Sequence, residues 1–137
     1  MQAQKILVVV TAPTRKPGTE IPLFKEGKTE ILGRSPRQGS TIILESAQAG
    51  RRQTQLDDRS DDGIDTTNLG TTNPTFVDYT RLNSPIAIYP GALISTGAYE
   101  ETFRYEIKGD DEKDQTFQLP AEEISAIIIE EPPAEAK

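Results

Sequence analysis

The side chains of this 137-residue chain that could do chemistry are basic, acidic and hydroxylic, because it contains neither histidine nor cysteine. That removes thiolate nucleophiles, imidazole bases, catalytic triads and disulfides, and leaves zinc only carboxylate ligands. Serine and threonine are plentiful, but a nucleophilic hydroxyl needs a base, which only lysine or a carboxylate could supply. No such constellation stands out, so no catalytic residue, metal ligand or cofactor is expected. The segment DDRSDDGID (57–65) imitates the start of a calcium loop, with Asp58, Ser60 and Asp62 at alternate positions and Gly63 next. The bidentate glutamate that closes such a loop is replaced by Leu69, and no helices are expected to flank it. Gly33-Arg34-Ser35-Pro36 is not a nucleotide-binding loop, since no Gly-Lys-Ser/Thr follows. The adjacent pair Arg51-Arg52 suits solvation or the docking of an acidic partner.

The charge is unevenly spread. The chain carries −7 overall, yet residues 1–56 carry +5 and residues 57–137 carry −12. Such asymmetry points to electrostatic steering or to head-to-tail contacts between copies, as in a homo-oligomer. A net acidic chain argues against nucleic acid as a general partner. Mean hydropathy is −0.53, and the longest apolar run, 6–10, has five residues. That is far below the ~20 needed to cross a bilayer and too short for a secretion signal. No membrane partner is expected, and the chain is expected to be made inside the cell, as a cytoplasmic or virion protein.

The elements that must position these residues read as β throughout. A hydrophobic share of 34 % suggests one compact core with polar excursions. Strands are expected over 5–10, 21–24, 28–32, 41–44, 75–78, 86–89, 92–95 and 102–107, with a weak one over 54–56. The aspartate-rich stretch 57–68 reads as a loop on composition. Turn signals such as Pro17-Gly18 and Pro90-Gly91 recur every ~8–12 residues, the spacing of a sandwich or barrel. Before residue 108 no segment shows helical apolar spacing over ten residues. Beyond it, a charged linker leads to an expected strand over 122–131 and then a Pro/Glu tail.

Two ordered segments resemble the forkhead-associated (FHA) domain, an all-β sandwich that reads phosphothreonine. IPLFKEGKTEILGRSPRQGSTIIL (21–44) is similar to the family's strand, turn and "xIGRSPxxDIxL". LGTTNPTFVDYTRLNSPIAIYPGALISTGAYEETFRYEI (69–107) is similar to its "LGSTNGTFVNGxxL" followed by the last strand pair. The resemblance implies a two-sheet antiparallel β-sandwich over 1–107, with 108–137 as an acidic C-terminal extension. In this register Phe76 is expected to be buried, and Gly33 and Gly70 are expected at sharp backbone turns.

Carried over residue by residue, the resemblance makes Arg34 a phosphate ligand and keeps the Thr-Asn pair as Thr72-Asn73. The family's Ser-x-x-His falls on Gly50-Arg51-Arg52-Gln53, which lacks both the phosphate-bonding hydroxyl and the histidine that shapes the loop. Pro74 replaces the glycine that usually follows the asparagine. Arg37 and Arg51 remain as compensating point charges, so Arg34, Arg37, Arg51, Arg52, Thr72 and Asn73 are the candidate residues for phosphate or an acidic partner. The broken Ser/His pair favours a non-enzymatic structural or interaction subunit, such as a capsid decoration protein held in a lattice of protein partners. The alternative is a phosphothreonine-binding adaptor that takes a phosphopeptide.

Overall fold

Short β-branched and aromatic runs punctuated by Gly, Pro and Asp form eleven strands and a single 3-10 turn, Pro36–Gln38, in the computed structural model, which describes residues 4–109. The strand expected over 122–131 and the Pro/Glu tail lie outside the described residues. The strands are β1 (Gln4–Thr11), β2 (Glu20–Pro22), β3 (Thr29–Gly33), β4 (Ile42–Ile43), β5 (Thr54–Asp58) and β6 (Ile64–Asn68), then β7 (Phe76–Val77), β8 (Thr80–Arg81), β9 (Ile86–Ile88), β10 (Leu93–Thr96) and β11 (Glu101–Lys108). They make two sheets, in the orders β2-β1-β11-β10-β7-β8 and β4-β3-β5-β6-β9. The β1–β2, β10–β11, β7–β10, β7–β8, β3–β5, β5–β6 and β6–β9 pairs are antiparallel, whereas β3 and β4 run parallel with Leu32 opposite Ile42. The expected all-β, two-sheet sandwich is what forms, and its compact unit is Lys5–Ile107.

The core lies between the sheets, where alternate residues of each strand point inward. Leu7 and Val9 of β1, Leu32 of β3, Leu56 of β5, Ile64 of β6, Ile94 of β10 and Phe103 and Tyr105 of β11 belong to one cluster. Burying each large side chain stabilises the fold by ~1.5–3 kcal/mol against leaving it exposed.

Three expectations need correction. The stretch 57–68 is not a loop: β5 and β6 form a hairpin through it, pairing Asp58 with Ile64 and Thr54 with Asn68. Only 59–63 turns. Ile64 and Thr66 face the core while Asp65 faces outward, so a period-2 pattern lay beneath an acidic composition. Phe76 is half-buried on the outer face, stacked on Tyr99 at a centroid distance of 4.7 Å, and its neighbours Thr75 and Val77 point inward instead. Finally, neither Gly33 nor Gly70 has a positive φ. They are demanded by close packing: a Cβ at Gly33 would strike the Arg51 carbonyl, and one at Gly70 would strike the Gln53 amide.

The β7–β8 hairpin turns through two left-handed residues, Asp78 (φ 49°) and Tyr79 (φ 67°). A two-residue turn of this hand matches strand twist, though glycine usually takes the second position. The Asp78 carboxylate accepts the Leu93 N–H at 2.9 Å and ties the turn to β10.

Candidate functional site

At one end of the sandwich three loops enclose a cavity of about 480 Å³. Arg34 enters from the end of β3, residues 47–52 from the β4–β5 connection, and residues 69–73 from the β6–β7 connection. Five of the six candidate residues thus meet: Arg34, Arg51, Arg52, Thr72 and Asn73. Arg37 stands apart on the exposed 3-10 turn. No carboxylate among the described residues lines the cavity. Among the described residues, no ion pair engages Arg34, Arg51 or Arg52.

The backbone that carries these arginines is pinned. The Arg34 and Ser35 N–H groups donate to the carbonyls of Gly50 (3.0 Å) and Arg51 (3.2 Å). Ser40 Oγ donates to the same Arg51 carbonyl at 2.6 Å. Arg34 Nε donates to the Ala49 carbonyl at 2.5 Å, which orients the guanidinium beside the cavity. The arginine therefore both braces a loop and faces the cavity.

The residue that organises the site is Gln53, which composition alone gave no reason to single out. It is fully buried. Its Oε1 accepts the Gly50 N–H at 2.6 Å, while its Nε2 donates to the Asn73 carbonyl at 2.8 Å and to Thr75 Oγ1 at 3.2 Å. One amide therefore clamps the 47–52 loop to the 69–73 loop. Asn68 completes the clamp, its Oδ1 accepting the N–H groups of Gly70 (3.0 Å) and Thr75 (3.1 Å). Thr54 and Thr75 hydroxyls meet at 2.7 Å beneath. The histidine expected to shape this loop is absent, yet the loop is shaped; a side chain with one acceptor and two donors does the bracing. The resemblance puts Gln53 at the family's histidine position, and that was the available signal.

Asn73 faces the cavity and donates through Nδ2 to the Gln48 carbonyl at 2.9 Å, a contact that also holds the loops together. Thr71 and Thr72 are exposed. Loop 45–50 is anchored from behind by Glu101, whose buried carboxylate accepts the N–H groups of Glu45 (2.9 Å) and Ser46 (3.0 Å) and lies 3.5 Å from Arg15 Nη1. Glu45 itself is held below the usual carboxylate range, chiefly by the Thr14 hydroxyl.

The opposite end, around the 59–63 turn, has another logic. The segment that imitates a calcium loop is filled by an ammonium: Lys5 Nζ meets Asp58 Oδ1 at 2.6 Å and the carbonyls of Arg59, Asp61 and Gly63 at 2.8–2.9 Å. Arg59 bridges Asp61 and Asp65 at 3.0 Å each. Arg59 first, then the Gly63 N–H and Tyr89, lower the Asp61 carboxyl to about 2. Tyr105 donates to the Asp62 carbonyl at 2.6 Å, and burial pushes its phenol well above the usual value. Among the described residues no group of His, Cys, Asp or Glu is placed to hold a metal.

Comparison with known proteins bears on the arginine cavity. The family model of the FHA domain matches residues 31–97, which include every residue that lines it. The FHA domain of the CT664 protein from Chlamydia trachomatis superposes with a TM-score of 0.64 at 22 % identity, covering 75 % of this chain and 96 % of that one. The FHA domain of an Arabidopsis thaliana hypothetical protein gives 0.66 at 19 % identity, covering 82 % and 92 %. Mycobacterium tuberculosis EmbR, solved with a low-affinity phosphopeptide, gives 0.65 at 20 % identity, covering 82 % of this chain but 26 % of EmbR. At these identities the likeness is one of fold. No curated protein matches the chain.

Proposed function

From the forkhead-associated domain of this chain, matched over residues 31–97, a module for protein–protein interaction, we propose a non-enzymatic reader of phosphorylated peptide. The observation that carries the reading is the cavity lined by Arg34, Arg51 and Arg52, with no carboxylate among the described residues of its walls. Guanidinium groups bond phosphate oxygens through charge-assisted hydrogen bonds, the strong kind in water-exposed sites. Gln53 holds the two loops in register, so the lost histidine does not mean a collapsed site. The similar fold of EmbR was solved with a phosphopeptide, in keeping with this choice of ligand. Arg34 and Arg51 are the phosphate ligands in this reading. Thr72 and Asn73 present the second wall. The absent hydroxyl at Gly50 costs about ten- to a hundredfold in affinity, from a charged hydrogen bond of ~1.5–3 kcal/mol. No observation favours the alternative of a capsid decoration subunit.

Fluorescence anisotropy against a phosphothreonine peptide library and its unphosphorylated twin, at low ionic strength, tests this. Phosphorylation is expected to tighten binding, and Arg34→Ala to reduce phosphopeptide affinity at least ~10-fold. Equal binding of the twins would reject it.

A further inference from the structure

We infer that β9 is a self-pairing edge: two copies of this chain join antiparallel through residues 85–89 and continue the five-stranded sheet from one copy into the other. The argument begins with charge. Residues 82–99 are the longest uncharged stretch of a chain that is 27 % charged, and they include β9, the last strand of its sheet. Sheet edges are ordinarily guarded by charge. Here β2 carries Glu20, β8 carries Arg81, and Glu45 closely follows β4. The β9 edge has no such guard, and Ile86 and Tyr89 stand exposed on it. Asp65, opposite Ala87 in β6, is paired with Arg59 at 3.0 Å. Two copies of net charge −7 can therefore approach along this line.

Hydrogen bonding selects the occupant. In β5 the Asp58 N–H donates toward β3, to the Lys28 carbonyl, and the Gln53 carbonyl accepts the Leu69 N–H from the β6 side. Backbone groups alternate sides along a strand, so Ile64 and Thr66 bond Ile88 and Ile86, and the N–H and C=O of Ala87 point to the open edge. The Tyr89 N–H points the same way, while its carbonyl accepts the Ala92 N–H at 3.1 Å. Pro85 offers the edge a carbonyl and has no N–H. This set is self-complementary. Centred on Ala87, an antiparallel second copy exchanges a pair of bonds between the alanines and sets each Tyr89 N–H on the other copy's Pro85 carbonyl. The N–H that Pro85 lacks then falls opposite a Tyr89 carbonyl that is already engaged. A strand of another sequence would bring an N–H to that occupied carbonyl and a carbonyl to Pro85, which cannot donate. On the inward face Ile86, 40 % exposed, meets Ile88 of the second copy beside a groove of about 480 Å³ that Val77 and Ala92 help to line. The Tyr89 hydroxyl, 3.1 Å from Asp61, fixes the end of the strand in advance. Pro85 and Pro90 confine the pairing to this segment. So short a contact lies at or below the ~1,200 Å² lower end of specific interfaces, and a Kd of ~10⁻⁵–10⁻⁴ M is expected.

Sedimentation velocity of the full chain at physiological salt, from ~10 µM to ~1 mM, tests the pairing. The apparent mass is expected to rise from 15.1 kDa toward twice that value, and amide exchange at Ala87 and Tyr89 to slow several-fold over the same range. Ile86→Lys puts like charges on both sides of the alanine pair, and Ala87→Pro deletes the outward N–H while keeping the bonds to β6. Each should weaken association at least ~10-fold. Ile43→Lys makes the same exchange at the other edge of this sheet and should leave association unchanged. Urea midpoints establish that the variants fold, and the wild-type exchange decides the matter where one does not. A chain that is monomeric at ~1 mM, association that survives both β9 variants, or an equal loss in Ile43→Lys overturns the inference. So does exchange protection that is independent of concentration, which would mean that a segment of the same chain covers the edge. None of residues 85–89 lines the arginine cavity, so the phosphopeptide reading stands or falls separately.

Discussion

The two ends of the sandwich handle charge in opposite ways. At the 59–63 turn, Lys5 is ringed by four oxygens and Arg59 bridges two aspartates, so charge is satisfied inside the molecule. At the cavity, three arginines stand on a pinned backbone with no carboxylate opposite them among the described residues. The polar contacts there go instead into holding the loops, through the neutral side chains of Gln53, Asn68 and Asn73. Satisfied charge contributes structure; charge left unsatisfied on a rigid frame is available to a partner. The contrast predicts that variants at one end change stability and variants at the other change binding.

Gln53 is where that separation breaks, and it carries the largest expected effect. Gln53→Ala removes a buried amide and orphans the Gly50 N–H and the Asn73 carbonyl, so stability should fall by about 3 kcal/mol. Urea denaturation measures the loss, and phosphopeptide binding should vanish with the loop register. Lys5→Met comes next. It leaves the Asp58 carboxylate and three carbonyls without their cation, at a cost of ~1–2 kcal/mol. Phosphopeptide affinity, read on the same sample by anisotropy, should not change.

Gly50→Ser sharpens the comparison from the other end. Gly50 has a negative φ, and its Cβ would sit 3.2 Å from the Arg52 carbonyl and from Gln53 Oε1, so these neighbours must give by a few tenths of an ångström. Restoring the hydroxyl should raise phosphopeptide affinity about tenfold by calorimetry. Stability should fall by about 1–2 kcal/mol as the Arg52 carbonyl and Gln53 amide give way. The smallest effect belongs to Asp61. Its carboxyl lies at about 2 in the fold against an ordinary 3.8, so its contribution is present above about pH 4 and fades as pH falls toward 2. Asp61→Asn should flatten the acid limb of a melting-temperature profile over that window and leave binding untouched.

Much of this architecture was legible in the residues. Gly33-Arg34-Ser35 and Leu69-Gly70-Thr71-Thr72-Asn73 mark the loops because close packing and turning restrict which residues can stand there, and restricted positions are readable. Arg34, Arg51, Arg52, Thr72 and Asn73 could be named before they were seen together. Where the reading failed, the deciding contact was distant in sequence or hidden by composition. Aspartates masked the alternation of Ile64 and Thr66, because a half-exposed strand can carry acids on its outer face. Phe76 points outward because Thr75 and Val77 take the inward positions of the alternation, and Tyr99, 23 residues on, covers its ring. The clamping role of Gln53 depends on residues 15–22 positions away. The ammonium of Lys5 lands in a turn more than fifty residues downstream.

Lys5 and Tyr105 stand near the first and last residues of the compact unit, and both reach the 59–63 turn. The polypeptide therefore enters and leaves the sandwich along the same edge. β5 separates that edge from the arginine cavity by about 13 Å at ~3.3 Å per residue. Within the compact unit, both terminal strands are thus fastened to the turn at the far end from that cavity.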